Sequence, residues 1–249
     1  MIDIIPIHSK DNHTYWVDAT DKLYIQRLRN GQYQNHNWQF AQTLITSYRN
    51  AIDIGSNNAC NAIHYAKRFN HVLCFEPTIV TQTLWKNTIQ DNNVDNATLY
   101  TTALAEKAYD TEIVLFKHNL GHNHLENQYY WDPSRTRRRT RATQAVQCVT
   151  LDSYNFSNID FIKIDVEGFE LNVLKGAVNT ISANRPVCQL EIVEHQCKLF
   201  YYTPQDLFDY FNNLNYVAVC RKRGIIKEYS PLKGCMDYWF VPQEKYKCS

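Results

Sequence analysis

Three acids are the residues of this sequence best placed to do chemistry. Asp53 stands in A-I-D-I-G-S-N-N-A (residues 51–59), with Gly55 and Asn57 behind it, and Glu76 closes H-V-L-C-F-E (71–76), 23 residues after Asp53. An apolar run ending in Asp-x-Gly reads as a strand turning into a helix, where glycine lets the backbone approach a ligand because no Cβ intervenes. In dinucleotide folds an acid about 20 residues further on meets the ribose hydroxyls, and a carboxylate suits because it accepts two hydroxyl hydrogen bonds at once. Alone, Asp-x-Gly supports no more than a tight turn; paired with Phe75-Glu76-Pro77 it points to a nucleoside. The three glycines that cradle a pyrophosphate at a helix N-terminus are missing, which disfavours NAD and FAD and favours a ligand with adenosine but no phosphate.

The third acid, Asp165, ends the strand-like run I-D-F-I-K-I-D (159–165), and Glu167 and Gly168 occupy the turn before a helix in K-I-D-V-E-G-F-E (163–170). Carboxylates there lie at the carboxyl edge of a sheet, where open α/β folds bind their ligands. Glu170 suits the helix that follows, whose N-terminal dipole favours negative charge.

To hold these acids together the chain must build a parallel sheet. Strands are predicted at 50–54, 71–76, 97–104, 112–116, 159–165 and 186–192, from runs of β-branched and aromatic residues, with helices at 57–69, about 80–90 and 169–183. Strands alternating with helices imply a mainly parallel sheet with right-handed crossovers. A helix near 204–213, a strand at 216–220, a turn around Gly224 and a last strand at 236–241 predict a terminal hairpin on the sheet edge. Residues 1–48, which include Trp16 and Trp38, read as a helical N-terminal extension packed over one end, with residues 49–249 as one α/β domain. A single sheet domain of roughly 200–250 residues is common.

The balance of 26 Lys and Arg against 25 Asp and Glu gives no global drive toward nucleic acid or an anionic membrane. Eight cysteines without a C-x-x-C, mostly inside apolar runs, read as buried reduced thiols. The N-terminal M-I-D-I-I-P lacks the long apolar core of a secretory signal, and no run approaches the ~18 apolar residues that span a bilayer. The expectation is a soluble, cytoplasmic protein.

Taken together these segments resemble the FkbM family of S-adenosylmethionine-dependent methyltransferases. The resemblance is carried by A-I-D-I-G-S-N-N-A (51–59), C-F-E-P (74–77), T-L-D-S (150–153), I-D-F-I-K-I-D-V-E-G-F-E-L-N-V-L-K-G-A (159–177) and R-P-V-C-Q-L-E-I (185–192), in the family's order. It implies a class I Rossmann-like α/β fold with a mainly parallel seven-stranded sheet and a C-terminal antiparallel hairpin. It also implies S-adenosylmethionine as cofactor and O-methylation of a hydroxyl on a sugar, a glycan or a related small molecule. By the same resemblance Asp53 and Gly55 line the methionine end of the cofactor, with Asn57 in the same loop. Glu76 holds the ribose, Thr102 and Ala103 lie near the adenine edge, and Asp165 sits beside the reacting methyl group. The family usually has glycine where this chain has Ala59.

The chemistry so implied is direct displacement, in which a substrate oxygen attacks an activated methyl carbon. Alignment supplies much of the rate, and a base removes the hydroxyl proton. Asp165, Glu191 at the end of its strand, and His195, His118, His122 and His124 are the candidates. The segment H-N-L-G-H-N-H (118–124) has the look of a metal cluster, but its Asn and Gly favour an irregular polar lid over the acceptor pocket, and no metal is assigned. His122, His124, Glu167, Arg137 and Arg138 are the candidate acceptor contacts. The two arginines belong to a run at 135, 137, 138, 139 and 141 suited to a phosphate, an acidic sugar or nucleic acid. Tyr129, Tyr130 and Trp131 beside it suit stacking on a ring or packing in a core. Two other readings stay open: an RNA methyltransferase, and a catalytically silent binding module on the same fold.

Overall fold

A computed structural model describes residues 2–31, 35–116, 120–125, 140–221, 224–225 and 230–246. The chain opens with a two-stranded antiparallel hairpin, β1 (Ile4–His8) and β2 (Thr14–Asp18), followed by helices Lys22–Arg29 and Asn35–Leu44. The expectation of an all-helical extension is therefore corrected. The alternation of Ile5, Ile7, Tyr15 and Val17 has the period of a strand and lays Ile7, Tyr15 and Val17 into the core.

The central sheet uses β3 (Asn50–Ile54), β4 (His71–Phe75), β5 (Ala97–Tyr100), β10 (Ile159–Ile164), β11 (Val187–Glu191), β12 (Tyr216–Cys220), β13 (Gly224–Ile225) and β14 (Asp237–Pro242). Their order is β13-β12-β14-β11-β10-β3-β4-β5. The run from β11 to β5 is parallel, and β14 lies antiparallel between β11 and β12. This is the expected mainly parallel sheet with an antiparallel C-terminal hairpin; the two-residue β13 adds a short eighth strand at its edge. The order reverses beside β3, so β3 and β10 leave between their carboxyl ends the crevice in which open α/β sheets bind ligands.

Parallel sheets are covered on both faces, and alternate residues of each strand enter separate cores. Ile52, Ile54, Ile162, Ile164 and Leu190 face helices Glu170–Lys175, Val178–Asn184 and Pro204–Asn213. Ala51, Val72, Phe161 and Trp239 face the N-terminal extension, where Trp38 packs its ring 4.8 Å from that of Tyr65 and 6.0 Å from that of Phe161. The extension thus closes a face of the sheet.

Three expected elements differ. The helix foreseen at 57–69 is confined to Ala62–Ala66, because Asn57 and Ala59 enter the left-handed region at φ 48° and 65°. The helix foreseen at 169–183 breaks at Gly176, where a Cβ would stand 2.0 Å from the carbonyl oxygen of Ala105. The strands foreseen at 97–104 and 112–116 do not all extend the sheet. Beyond β5 the chain forms a separate four-stranded sheet of β6 (Ala103–Leu104), β7 (Tyr109–Phe116), β8 (His124–Leu125) and β9 (Thr140–Val149), ordered β6-β9-β7-β8.

The cysteine reading holds for Cys60, Cys74, Cys148, Cys188 and Cys197, which are free and buried. It is corrected for Cys220 and Cys235, which β12 and the approach to β14 bring together as a disulfide. Among the described residues, no helix is long and apolar enough to cross a membrane.

Candidate active site

The loop after β3 is shaped by its neighbours. Gly55 has φ +79°, and a Cβ on it would lie 1.9 Å from the carbonyl oxygen of Asp165, so β10 can end against this loop only if position 55 is glycine. The amides of Gly55 and Ser56 both donate to the Phe75 carbonyl at 3.0 Å, tying the loop to the end of β4. Glu76, 6% exposed, accepts from the amides of Asn57 at 3.0 Å and Thr78 at 2.9 Å. Burial pushes its pKa up, opposed by Thr81, Thr78 and the Asn57 amide. From the other side Tyr24 donates its hydroxyl to Asn58 Oδ1 at 2.7 Å, and the Asn58 amide donates to the Trp16 carbonyl at 3.0 Å. Ala59 carries φ +65° here, so this chain holds an alanine in a conformation that glycine adopts without strain.

Two cavities meet at this loop. One, of about 80 Å³, is lined by Gly55, Asn57, Glu76, Thr102 and Ala103, by the apolar Ile54, Phe75, Leu104, Ile113 and Leu125, and by His124. The other, of about 240 Å³, is lined by Lys163, Asp165, Glu167 and Glu191 and, from the N-terminal extension, by Val17, Asp18, Asp21, Tyr24 and Arg27. Gly55, Asn57, Leu120, Gly121, Asp165 and Glu167 border both.

Asp53 is not on the wall of either cavity. It is fully buried beneath the loop, and neither carboxylate oxygen has a hydrogen-bond partner at bonding distance. Its counter-ion is Lys163, 3% exposed, whose ammonium stands 4.0 Å from Asp53 Oδ1 and 3.0 Å from Asp165 Oδ2. Burial pushes the Asp53 pKa up, against the pull of Lys163 and the Ser56 hydroxyl. Burial alone would lower the Lys163 pKa, but the charges of Asp165 and Asp53 outweigh it and hold the ammonium above its ordinary value.

Lys163, on the wall of the larger cavity, is the candidate that sequence reasoning passed over. The signal was present: a lysine inside the apolar run I-D-F-I-K-I-D, two residues before Asp165 and therefore on the same face of the strand. Parallel pairing sets Lys163 opposite Asp53.

Asp165, Glu167 and Glu191 offer oxygens that lie within 4.8 Å of one another. Burial pushes the Glu167 pKa up to about 9, followed by the charges of Asp165, Glu191 and Glu170. The charge of Asp165, then burial, pushes Glu191 up to about 8. Glu170 plays the structural part expected of it, accepting from the amides of Val166 and Gly168 at 3.1 Å and from the Tyr202 hydroxyl at 2.9 Å. The T-L-D-S segment is structural too, since Asp152 accepts from the amides of Thr180 at 2.8 Å and Asn179 at 3.0 Å at the start of helix Val178–Asn184.

Of the other candidates, His124 reaches the smaller cavity, while His195 is exposed on helix Glu194–Leu199 and lines neither. His122 lies in a short 3-10 turn, and its side chain is outside the described residues, as are Arg137, Arg138, His118 and the 129–131 aromatics.

The model of the methyltransferase FkbM domain family matches residues 53–218, from the buried aspartate to the C-terminal hairpin. The chain belongs to that family. Among solved structures it is similar to the methyltransferase FkbM from Methylobacillus flagellatus KT, with 18% identity and a TM-score of 0.51 over 81% of this chain and 46% of that one. It is also similar to Trm5b from Pyrococcus abyssi, with 9% identity and a TM-score of 0.50 over 96% of this chain and 56% of that one. The chain thus spans about half the length of each, and at these identities the likeness shows the fold, that of the class I methyltransferases. A comparison with curated proteins finds no match.

Proposed function

We propose that this FkbM-family domain is an S-adenosylmethionine-dependent methyltransferase acting on a hydroxyl of a sugar, a glycan or a related small molecule. The observation that carries the reading is the pair of adjoining cavities at the carboxyl edge of the sheet, one lined by Glu76 and an apolar slot and the other walled by carboxylates.

The smaller cavity fits the cofactor. Glu76 presents a carboxylate suited to a ribose diol, and Ile54, Leu104, Ile113 and Leu125 supply an apolar slot for a purine beside Thr102 and Ala103. S-adenosylmethionine, bound there, brings a methyl group activated by a sulfonium. Asp53 acts from below, holding Lys163 where it meets Asp165.

In the larger cavity Asp165 and Glu191 stand ready to take the proton of an acceptor hydroxyl. Glu191, raised to about 8 chiefly by the Asp165 charge, is poised near neutral pH, as an effective general base is. Lys163 steadies the charge on Asp165 at 3.0 Å. Asp18, Asp21 and Glu167 add acceptors for further hydroxyls. A wall so rich in carboxyl oxygens suits a polyhydroxylated acceptor.

The test is incubation with methyl-labelled S-adenosylmethionine and separate glycan, lipid and RNA pools, with calorimetry of cofactor binding beside it. Label in the glycan pool is expected. Label in RNA alone overturns the acceptor class, and the absence of cofactor binding overturns the enzyme reading altogether.

A further inference from the structure

The turn of the N-terminal hairpin meets the helix behind the cofactor loop through a second cluster of chemistry-bearing side chains. Asp11 and His13 come from the turn between β1 and β2, and His64 from helix Ala62–Ala66. A donor atom from each lies within 4.8 Å of the others. His13 Nδ1 stands 3.1 Å from Asp11 Oδ1, and His64 Nε2 stands 3.6 Å from Asp11 Oδ2.

His13 is only 7% exposed, yet its Nδ1 and the facing Asp11 Oδ1 are both buried atoms without a hydrogen-bond partner, so their approach is not a hydrogen bond. The Lys67 ammonium can only donate, so it keeps His13 Nε2 an acceptor and leaves the imidazole proton on Nδ1, facing Asp11 Oδ1 but misaligned for a hydrogen bond. A metal ion bound to both takes the place of that proton. Tetrahedral zinc with ligand bonds of about 2.0–2.1 Å sets neighbouring donors roughly 3.3 Å apart; the two imidazoles face one Asp11 oxygen each, at 3.1 Å and 3.6 Å, so a small turn of the carboxylate brings one oxygen to both.

We infer that Asp11, His13 and His64 form a binding site for one divalent transition-metal ion of the zinc class. Two imidazoles and one carboxylate are a donor set that such ions take, with water at the remaining position. Tyr15 donates its hydroxyl to Asp11 Oδ2 at 3.0 Å and so orients the carboxylate, as the outer partners of metal ligands do. The ion staples the N-terminal hairpin to the helix that begins just beyond the cofactor loop. The inference is independent of the methyl-transfer reading.

Two neighbours compete, and the first is the Tyr15 hydroxyl, 3.2 Å from His64 Nε2, a contact that the ion replaces. The second, the Lys67 ammonium, lies 2.6 Å from His13 Nε2. With a metal on Nδ1, the imidazole proton sits on Nε2, which then donates and no longer accepts. Lys67, exposed to solvent, must turn away. Metal binding and the Lys67 contact are therefore mutually exclusive, and Lys67→Met removes that competitor.

The experiment uses the full chain, stripped with a chelator and titrated with Co2+, followed by its visible d–d absorption, by Zn2+ displacement and by thermal melting. One equivalent of Co2+ is expected, displaced by Zn2+, with a melting temperature raised by the metal. His13→Gln and His64→Gln each weaken Co2+ by more than the roughly 10–100-fold that loss of an outer partner causes, and Lys67→Met tightens it. If a histidine variant does not fold, the wild-type titration and Asp11→Asn decide. Sub-stoichiometric Co2+ in the wild type overturns the inference. So does a full equivalent retained by folded His13→Gln and His64→Gln, which places the ion elsewhere. Unchanged affinity in Lys67→Met overturns the assignment of Nδ1 as ligand.

Discussion

Replacing Lys163 with methionine tests the pair on which the site is built. Asp53 is wholly buried and no hydrogen bond reaches its oxygens at bonding distance, so the ammonium 4.0 Å away, ahead of the Ser56 hydroxyl, is the main compensation of its charge. At that distance and an effective dielectric of about 20, two unit charges attract by about 4 kcal/mol, and breaking a buried pair from one side destabilises by about 3–5 kcal/mol. Lys163→Met is therefore expected to lose about 3–5 kcal/mol in urea unfolding followed by circular dichroism. The double variant Asp53→Asn/Lys163→Met, which removes both charges, should regain most of the loss. The pH dependence has a definite sign. Burial already raises Asp53, and without the lysine its folded pKa climbs further above the unfolded value of about 3.9. A carboxyl so raised binds a proton on folding, so its stability contribution is lost as pH rises. The deficit of the single variant should thus be smallest near pH ~5 and grow toward neutral pH. A loss under about 1 kcal/mol, or a double variant no better than the single one, would refute the view that these charges depend on each other.

Four other outcomes follow from the same geometry. Gly55→Ala places a methyl 1.9 Å from a backbone carbonyl oxygen at φ +79°, and should abolish cofactor binding in calorimetry while lowering stability by more than about 2 kcal/mol. Glu76→Gln keeps the shape but loses the charge that accepts from two amides and, in the proposed complex, from the ribose; cofactor Kd should rise by at least about tenfold, equivalent to 1.4 kcal/mol. Because the Asp165 charge and burial push Glu191 up to about 8, kcat should climb as pH rises through that region, and Asp165→Asn, which removes the first cause of the shift, should move the midpoint to lower pH. Ala59→Gly relieves a left-handed backbone worth roughly 1–2 kcal/mol but loses a buried methyl of about 0.8 kcal/mol and loosens the unfolded chain, so the melting midpoint should barely change.

Much of the architecture was legible from local chemistry. The runs at 50–54, 71–76, 159–165 and 186–192 have the apolar, β-branched character of strands buried on both faces, and the structure makes strands there. Glu76 and Asp165 were found as acids that end such strands, and the cavities open at those ends. The second sheet was harder to see. In Q-A-V-Q-C-V the alternation that buries Val146 and Cys148 and exposes Ala145 and Gln147 is readable, but its partner β7 lies more than twenty residues earlier, and pairing at that distance is set by tertiary packing.

The sequence by itself determined which residue types stand at the carboxyl ends of the strands, because strand periodicity and the Asp-x-Gly turn are properties of neighbouring residues. Only the tertiary structure decided what each acid does. Parallel register set Lys163 opposite Asp53 and so made Asp53 a buried counter-ion, away from both cavity walls. The packing of residues 4–29 across a sheet face brought Asp18, Asp21 and Tyr24 to the larger cavity. It also carried Asp11 and His13 up to His64. Such meetings of residues far apart in the chain depend on burial and register between whole elements, for which no local pattern exists.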